Sequence, residues 1–303
     1  MQFRGNMLPF FDLHCDTFLE LYNKRQKIKD NTLHISLEKA KNFSPYVQIG
    51  AIWSDNYLTD DEAFIKCLLV IDYIKNQNIN LVTNLHCLRK SNFILGIEDA
   101  RLLNGNLSRL DTLYSLGVRI LTLNWKGESI IGGGFDTSFP LTDFGKLVIK
   151  RCGNLGIIVD LSHSSVETFT DTINLATHFE FTPIASHSNS FSICSHRRNL
   201  TDAQFKELVN LKSLVGISFV PEHLGENASV YTIIQHINHF LDLGGENTIA
   251  LGSDFDGVNN LPNGINSIDS LHMLHSALVN EFGEKITNKI FFENAYSYFK
   301  RIL

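Results

Sequence analysis

The chain has 303 residues, of which 44% are apolar, a mean hydropathy of −0.02 and a net charge of −6. This length and composition fit one large or two medium domains with a sizeable core. The acidic balance excludes a basic nucleic-acid surface, and no apolar run approaches the about 18 residues of a membrane-spanning helix. Five scattered cysteines without a C-x-x-C pair indicate reduced thiols. The first residues lack the apolar core of a signal peptide, so we expect a cytoplasmic location.

Short apolar runs alternate with helical patterns along the chain. The runs that predict strands are Phe10–His14, Val47–Trp53, Phe93–Glu98, Val118–Asn124, Ile157–Ser162, Thr182–His187, Leu214–Phe219 and Thr248–Asp254. Helical patterns cover Asp60–Asn76, Thr142–Asn154, Ser165–His178, Thr201–Asn210, Tyr231–Leu243, Ser267–Phe282 and a segment near Asn288–Phe299. Because the strand runs are almost continuously apolar, they favour a parallel sheet that is buried on both faces.

This alternation predicts an α/β fold, a (β/α)8 TIM-like barrel, as a single domain over residues 1–303. An open, doubly wound sheet is the alternative that the same pattern permits.

Polar residues follow the carboxyl ends of several predicted strands, the end of a barrel where active sites form. They are His14 and Asp16 after the first strand, Glu98 at the third, His163 after the fifth, His187 at the sixth and Asp254 at the eighth. A single histidine at a strand end is more often structural. The convergence of six such residues on one face instead indicates a metal site, with imidazole and carboxylate ligands that suit zinc.

Two finer patterns bear on this interpretation. Strict alternation would place Asp12, His14 and Asp16 on one side of the first strand, with Asp12 supporting the site rather than binding metal. His236 and His239 have helical i, i+3 spacing, which fits a metal-binding face or, more simply, a helix surface.

Six motifs in order resemble the membrane (renal) dipeptidases and their soluble bacterial relatives, which have an amidohydrolase-type barrel with two zinc ions. The motifs are DLHCDT (12–17), LGIED (95–99), GIIVDLSHSS (156–165), PIASHSNS (183–190), HRRNLTD (196–202) and LGSDFDG (251–257). The resemblance extends from Asp12 to about Asn294.

The resemblance implies two Zn²⁺ ions per chain. His14 and Asp16 would bind the first ion, Glu98 would bridge both, and His163 and His187 would bind the second.

It also implies that Arg198 holds the terminal carboxylate of the substrate and that Asp254 transfers protons. A planar guanidinium suits a bidentate carboxylate contact. The neighbouring Arg197 is expected to be structural.

One position departs from the family pattern. Trp125 stands where better-known members carry a histidine that contacts the substrate carbonyl. The Trp125 indole N–H and the Asn124 amide are both candidates for that contact, and the residues alone leave the choice open.

The sequence therefore predicts a zinc-dependent dipeptidase that uses a metal-bridging hydroxide to hydrolyse L-Xaa-L-Xaa and L-Xaa-D-Ala dipeptides. The alternatives are another hydrolase on the same barrel, acting on N-acyl amino acids or lactones, and a non-catalytic metal-binding relative. We expect a dipeptide as the ligand, neither nucleic acid nor membrane as a partner, and, from the family, a homodimer.

Overall fold

Seven parallel strands form the central sheet of the computed structural model, which describes residues 7–303. The strands are β1 (Leu8–Cys15), β2 (Phe43–Trp53), β3 (Ser91–Glu98), β4 (Val118–Thr122), β5 (Ile158–Asp160), β6 (Val215–Ile217) and β7 (Ile249–Leu251). Their order in the sheet is β5-β4-β3-β2-β1-β7-β6. The cytoplasmic prediction rests on the first residues of the chain, and residues 1–6 lie outside the described residues.

The sixth predicted strand, Thr182–His187, is reduced to isolated bridges that join the two edges of this sheet. Ile184 pairs with Asp160 of β5, and Ala185 pairs with Val215 of β6, both in parallel. The segment therefore supplies the eighth position of the ring. The predicted α/β barrel is confirmed, and the open-sheet alternative does not fit this connection.

Ten helices surround the sheet within the described residues. They are α1 (Thr17–Lys24), α2 (Asp60–Lys75), α3 (Leu107–Ser115), α4 (Asp143–Leu155), α5 (Val166–Phe179), α6 (Asp202–Asn210), α7 (Pro221–Leu224), α8 (Val230–Asp242), α9 (Leu271–Asn288) and α10 (Asn294–Ile302). The chain kinks at Gly283 inside α9. Across residues 7–303, every helix is too short or too polar to pass through a bilayer.

The barrel interior is filled by one apolar cluster to which every position of the ring contributes. Its members include Phe11, Val47, Ile94, Ile120, Ile158, Ile184, Leu214 and Ala250. Phe299 of α10 packs against Phe11 with ring centroids 4.9 Å apart. A larger cluster fills the space between the strands and the helices. The barrel interior is thus filled by apolar side chains where these residues lie. Polar side chains lie toward the carboxyl ends of the strands.

A β-bulge in β1 changes the simple alternation that the sequence suggests. Asp12 pairs with Gln48 and Cys15 with Gly50, so three steps along β1 match two steps along β2. Leu13 belongs to the interior cluster, and yet the next residue, His14, also reaches inward to the polar residues described below. A bulge re-aims side chains in this way. Asp12 therefore does not share one regular face with His14.

Two glycines make room for an inward turn of the sixth segment. A Cβ atom added at Gly216 would lie 1.9 Å from the Ser186 carbonyl oxygen, and one added at Gly252 would lie 1.8 Å from it. Real Cβ atoms do not approach backbone so closely, because the electron clouds overlap. The Ser186 carbonyl can occupy this space only because Gly216 and Gly252 lack a side chain. The position of this carbonyl determines the direction of the backbone into His187.

We expect Gly252→Ala to lower the free energy of unfolding by about 1–3 kcal/mol, the usual cost of overpacking. The methyl group would displace the Ser186 backbone. Gly153 lies inside α4 with nothing within 4 Å of an added Cβ, so Gly153→Ala should raise stability by about 0.5–1 kcal/mol. Denaturant unfolding of both variants measures the difference, and equal effects would contradict the steric explanation.

Candidate active site

The five predicted metal ligands meet in one place at the carboxyl end of the barrel. His14 Nε2 lies 3.6 Å from Asp16 Oδ2 and 3.3 Å from Glu98 Oε2. On the other side, His163 Nε2 lies 2.9 Å from Glu98 Oε1 and 2.8 Å from His187 Nε2. Glu98 thus stands between the two groups and offers one oxygen to each.

Burial and close contact shift the pKa values of the carboxyl groups in this cluster. Burial raises the pKa of Asp16 to about 8, and the nearby Glu98 charge adds to the rise. Burial also raises the pKa of Asp254. For Glu98 burial acts in the same direction, but the His14 and His163 imidazoles outweigh it and hold the pKa of this carboxyl well below its usual range. Such a cluster is costly in a low-dielectric interior unless cations neutralise it.

The three histidines differ in charge. Burial and the Arg198 guanidinium lower the pKa of His163 to about 4, and burial together with His14 holds the pKa of His187 well below its usual range. Both rings are therefore neutral at pH 7, the form that binds metals. Burial opposes the charged form of His14 as well, but Glu98 and Asp16 together raise its pKa well above the usual value.

The donor set fits divalent metal ions. Three overlapping groups of ligand atoms lie within 4.8 Å of one another: Glu98, His163 and His187; His14, Asp16 and Glu98; and His14, Asp160 and His187. His14 Nε2 is buried and has no hydrogen-bond partner among residues 7–303. Imidazole nitrogen and carboxylate oxygen are the ligands that zinc accepts in catalytic sites. The clusters are consistent with a dinuclear site.

Asp160, at the end of β5, was not among the predicted ligands, and it supports His187 from behind. The Ser186 hydroxyl donates to Asp160 Oδ2 at 2.6 Å and lies 2.8 Å from His187 Nδ1. Thr122 Oγ1 and the backbone N–H groups of Ser162 and Ser186 also donate to this carboxylate. Such a network orients the imidazole of a metal ligand.

A cavity of about 330 Å³ opens beside the cluster. It is lined by Asp16, Glu98, His163, Arg198 and Asp254 among others. This volume fits a small ligand. We refer to it below as the first cavity.

Charges of opposite sign lie in the walls of the first cavity. Arg198 is buried, and one of its terminal nitrogens donates to the His187 carbonyl at 3.0 Å, which fixes the guanidinium. Burial lowers the pKa of Arg198 to about 10, so it stays charged at neutral pH. The carboxylates of Glu20, Asp55 and Asp256 join Asp16 and Asp254 in the lining. The cavity therefore suits a ligand with separate positive and negative ends.

Gly257 leaves room for two of these carboxylates. A Cβ atom at this position would lie 2.3 Å from Asp254 Oδ1 and 2.4 Å from Asp16 Oδ2. Asp254 itself has a positive φ of 60°, and His163 has a φ of 68°. Unusual backbone conformations of non-glycine residues cluster at functional sites.

The two candidates for the carbonyl contact are placed differently. Trp125 lines the first cavity, and its ring centroid lies 5.9 Å from that of His163. Asn124 is buried outside the lining, and its amide donates to Ser129 Oγ and to the Gly132 carbonyl, each at 2.9 Å. The geometry gives Asn124 a role in holding the following loop rather than a direct contact with a ligand.

Trp53 and His223 are among the residues of the first cavity that sequence reasoning missed. Trp53, at the end of β2, packs against Trp125 with ring centroids 5.1 Å apart and the rings tilted by 58°. Its indole nitrogen is buried and unpartnered among the described residues. His223 lies in α7, where burial and Arg198 lower its pKa to about 2. Trp53 could have been found from its position at a strand end, whereas nothing in the sequence distinguishes His223.

His236 is neither a metal ligand in these clusters nor a surface residue. It is fully buried in α8, and its Nδ1 accepts a hydrogen bond from the Ser190 backbone N–H at 3.0 Å. Its Nε2 lies 3.2 Å from the Leu224 carbonyl. The helix-surface interpretation was wrong for His236, because an i, i+3 spacing does not reveal which side of the helix meets the loop after His187.

Comparison with known proteins identifies relatives. Residues 5–302 match the family described as "Membrane dipeptidase (Peptidase family M19)". An uncharacterised protein in the pqqA 5′ region of Klebsiella pneumoniae is 31% identical over 214 residues, which is 65% of this chain and 77% of that protein. An uncharacterised protein in the PQQ-III 3′ region of Acinetobacter calcoaceticus is 32% identical over 168 residues, 51% of this chain and 52% of that protein.

Solved structures share the fold over nearly the whole chain. Dipeptidase AC, a metallopeptidase of family M19, superposes with a TM-score of 0.89 at 25% identity, covering 98% of this chain and 99% of that one. A Rhodobacter sphaeroides metallopeptidase liganded with a phosphinate mimic of L-Ala-D-Ala has a TM-score of 0.91 at 24% identity, with coverages of 98% and 100%.

We expect Ser186→Ala to weaken metal binding by about 10–100-fold, the usual effect of losing the hydrogen-bond partner of a ligand imidazole. The substitution removes the hydroxyl that links His187 to Asp160. Competition with a chelator measures the affinity. The exposed Ser115→Ala serves as the control, and a Ser186→Ala protein that binds metal as tightly as this control would contradict the orienting role.

His236 predicts a specific pH dependence of stability. Burial lowers its pKa to about 4 in the folded protein, compared with about 6.5 in an unfolded chain. Its contribution is therefore fully present above about pH 6.5 and is lost as the pH falls toward 4, because the unfolded state binds the proton first. The loss amounts to about 3 kcal/mol at most.

Gln at position 236 can also accept from Ser190 and donate to Leu224, but it does not titrate. We expect the stability difference between pH 7 and pH 4 to be smaller in His236→Gln than in the parent protein. Denaturant unfolding at several pH values measures it, with the exposed His272→Gln as the control. Parallel pH curves for all three proteins would show that His236 does not titrate in this way.

Proposed function

The chain belongs to the membrane dipeptidase family, peptidase family M19, and we propose that it is a zinc-dependent dipeptidase with two Zn²⁺ ions per chain. The observation that carries this proposal is the convergence of His14, Asp16, Glu98, His163 and His187 on one buried cluster beside the first cavity. In this proposal Glu98 would help to hold both ions, with one carboxylate oxygen available to each ligand group.

A zwitterionic dipeptide matches the charges of the first cavity. The fixed guanidinium of Arg198 would receive the terminal carboxylate through paired hydrogen bonds. The ammonium group would lie among the carboxylates, such as Asp16 and Asp254. A peptide extended at either end would leave a buried charge of the cavity without its partner, which accounts for a preference for dipeptides.

The chemistry divides between the metal site and Asp254. When bound, the two cations supply the Lewis acidity that activates water and polarises the peptide carbonyl. The Asp254 backbone N–H donates to the His14 carbonyl at 3.1 Å, which fixes the backbone from which the carboxylate extends. From this position Asp254 accepts a proton from the attacking water and delivers it to the leaving nitrogen, a general base followed by a general acid.

An indole N–H is the best available donor for the developing oxyanion. Trp125 lines the cavity, and Trp53 adds a buried indole nitrogen without a partner among the described residues. An N–H donor of this kind stabilises the tetrahedral transition state. We therefore assign the contact to this pair of tryptophans rather than to Asn124.

The substrate range that we propose includes L-Xaa-L-Xaa and L-Xaa-D-Ala dipeptides. The Rhodobacter sphaeroides protein binds a phosphinate mimic of L-Ala-D-Ala, and this chain shares its fold. A D-residue at the second position leaves the terminal carboxylate in place, so the contact with Arg198 does not exclude it.

A panel of dipeptides tests the proposal. Zinc-loaded protein is incubated with L-Ala-L-Ala, L-Ala-D-Ala and an N-acetyl amino acid, with a chelated sample as the control. We expect cleavage of the dipeptides, lost on chelation and restored by zinc. Cleavage of the N-acetyl compound alone would point to an acylase, and no cleavage by protein of measured metal content would overturn the dipeptidase proposal.

Two substitutions should affect different kinetic constants. Arg198→Met removes the carboxylate contact, so it should raise KM by about 10–100-fold and abolish the preference for a dipeptide over its C-terminal amide. Asp254→Asn should instead lower kcat by about 10²–10⁴-fold at unchanged metal content. Steady-state kinetics and metal analysis separate the two effects. A large KM effect from Asp254→Asn alone would contradict the assigned roles.

A further inference from the structure

A second cavity of about 340 Å³ adjoins the first cavity. Phe135, His163 and Arg198 line both of them. The Phe135 ring packs between two imidazoles, with its centroid 6.0 Å from that of His163 and 6.3 Å from that of His196. The two cavities are therefore neighbours across one aromatic side chain and one arginine, rather than separate features of the surface.

Several buried polar atoms of the second cavity's lining residues lack partners among residues 7–303. They are His163 Nδ1, Ser164 Oγ and Arg198 Nε, together with one acceptor, Asn199 Oδ1. His163 and Arg198 are both more than nine-tenths buried. Leaving buried donors unpaired costs about 1–3 kcal/mol each.

Three of these atoms can donate a hydrogen bond, namely His163 Nδ1, Ser164 Oγ and Arg198 Nε. Arg198 Nε is always a donor. When His163 Nε2 faces the metal cluster, its proton resides on Nδ1, and a metal-bound imidazole normally donates this N–H to an acceptor. His187 has such a partner in Ser186, whereas His163 has none in the described part of the chain. Residues that carry unpaired hydrogen-bond donors thus line the second cavity.

The charges favour an anion over a neutral acceptor. Arg197, which is exposed, lines the second cavity together with Arg198, against one carboxylate, that of Glu167. Residues at the amino-terminal ends of α5 and α6, including Thr201, also line it. The positive ends of both helix dipoles lie at the cavity and add to the attraction for negative charge.

We infer that the second cavity is a carboxylate subsite, with Arg197 and Ser164 as the residues that determine its specificity. This inference rests on the proposed function. When the terminal carboxylate of a dipeptide lies at Arg198, the side chain of the C-terminal residue of that dipeptide starts at the boundary between the two cavities. An acidic side chain there reaches the guanidinium of Arg197. A free carboxylate such as acetate is the other source of the same group.

The experiment compares dipeptides that end in Glu with their isosteric Gln counterparts, in both stereochemical series. L-Ala-D-Ala provides the baseline. The proteins are the zinc-loaded parent, Arg197→Gln, Arg197→Lys, Ser164→Ala and the control Arg89→Gln, an exposed arginine just before β3, at the amino-terminal end of that strand.

We expect the parent protein to prefer Glu over Gln by about 10-fold or more in kcat/KM, mainly through KM, as the loss of a charged hydrogen bond implies. Arg197→Gln should bring the ratio close to one and leave L-Ala-D-Ala hydrolysis unchanged. Arg197→Lys should retain part of the preference, Ser164→Ala should reduce it, and Arg89→Gln should not alter it. A ratio insensitive to position 197 would overturn the assignment of Arg197.

Added acetate identifies the source of the carboxylate. If the subsite takes a free carboxylate, acetate changes the KM for L-Ala-D-Ala in the parent and not in Arg197→Gln, while the Glu to Gln ratio stays near one. If neither acetate nor the side chain has an effect but L-Ala-D-Ala is cleaved, the subsite is refuted and the dipeptidase proposal stands.

Failure to cleave any dipeptide would refute the dipeptidase proposal itself. Titration calorimetry with the Glu and Gln dipeptides then tests the subsite by binding alone. Tighter binding of the Glu dipeptide, lost in Arg197→Gln, would support it, and equal affinities would refute it.

Discussion

The placement of several carboxylates in a buried cluster is the constraint on which the rest of the structure depends. Asp16, Glu98 and Asp254 lie around His14 at distances of 3.3–4.0 Å from its Nε2 atom. Without cations, a cluster of this kind opposes folding because each charge loses its hydration. With cations bound, the attraction between the carboxylates and the ions would supply the binding energy of the site. Folding of the carboxyl end of the barrel is therefore linked to metal occupancy.

A rigid frame beneath the cluster makes this arrangement specific. The apolar cluster of the barrel interior fixes the strands below, while hydrogen bonds to Asp160 fix the loops above. Asp12 has a comparable role at β1, where it accepts from the Ser253 backbone N–H at 2.8 Å. Burial raises the pKa of Asp12 to about 6, so hydrogen bonds to Ser253 are important in keeping this carboxyl ionised at neutral pH. These hydrogen bonds thus orient the candidate ligands.

The sequence carried enough information to locate most of the site but not its local geometry. Parallel strands of a barrel end on one face, so polar residues after apolar runs, such as Glu98 and His187, could be predicted to meet. The β1 bulge at His14 and the inward turn at Ser186 depend on pairing register and on glycines of distant strands. Burial of His236 depends on which face of α8 packs against the loop after His187. These are tertiary effects, which periodicity within one segment does not encode.

The same frame explains how one site can combine a fixed reaction with a variable substrate range. The candidate metal ligands and Asp254 lie at strand ends and among buried hydrogen bonds. Phe135 and Arg197 instead lie on loops around the opening, in a cavity that shares Arg198 with the reaction site. Because Arg198 borders both cavities, the proposed substrate, held there by its terminal carboxylate, would present its peptide bond to the candidate metal cluster and its last side chain to residues outside the cluster. Changes at Arg197 can alter specificity while the strand-borne residues of the cluster stay in place, because loop positions vary independently of the scaffold.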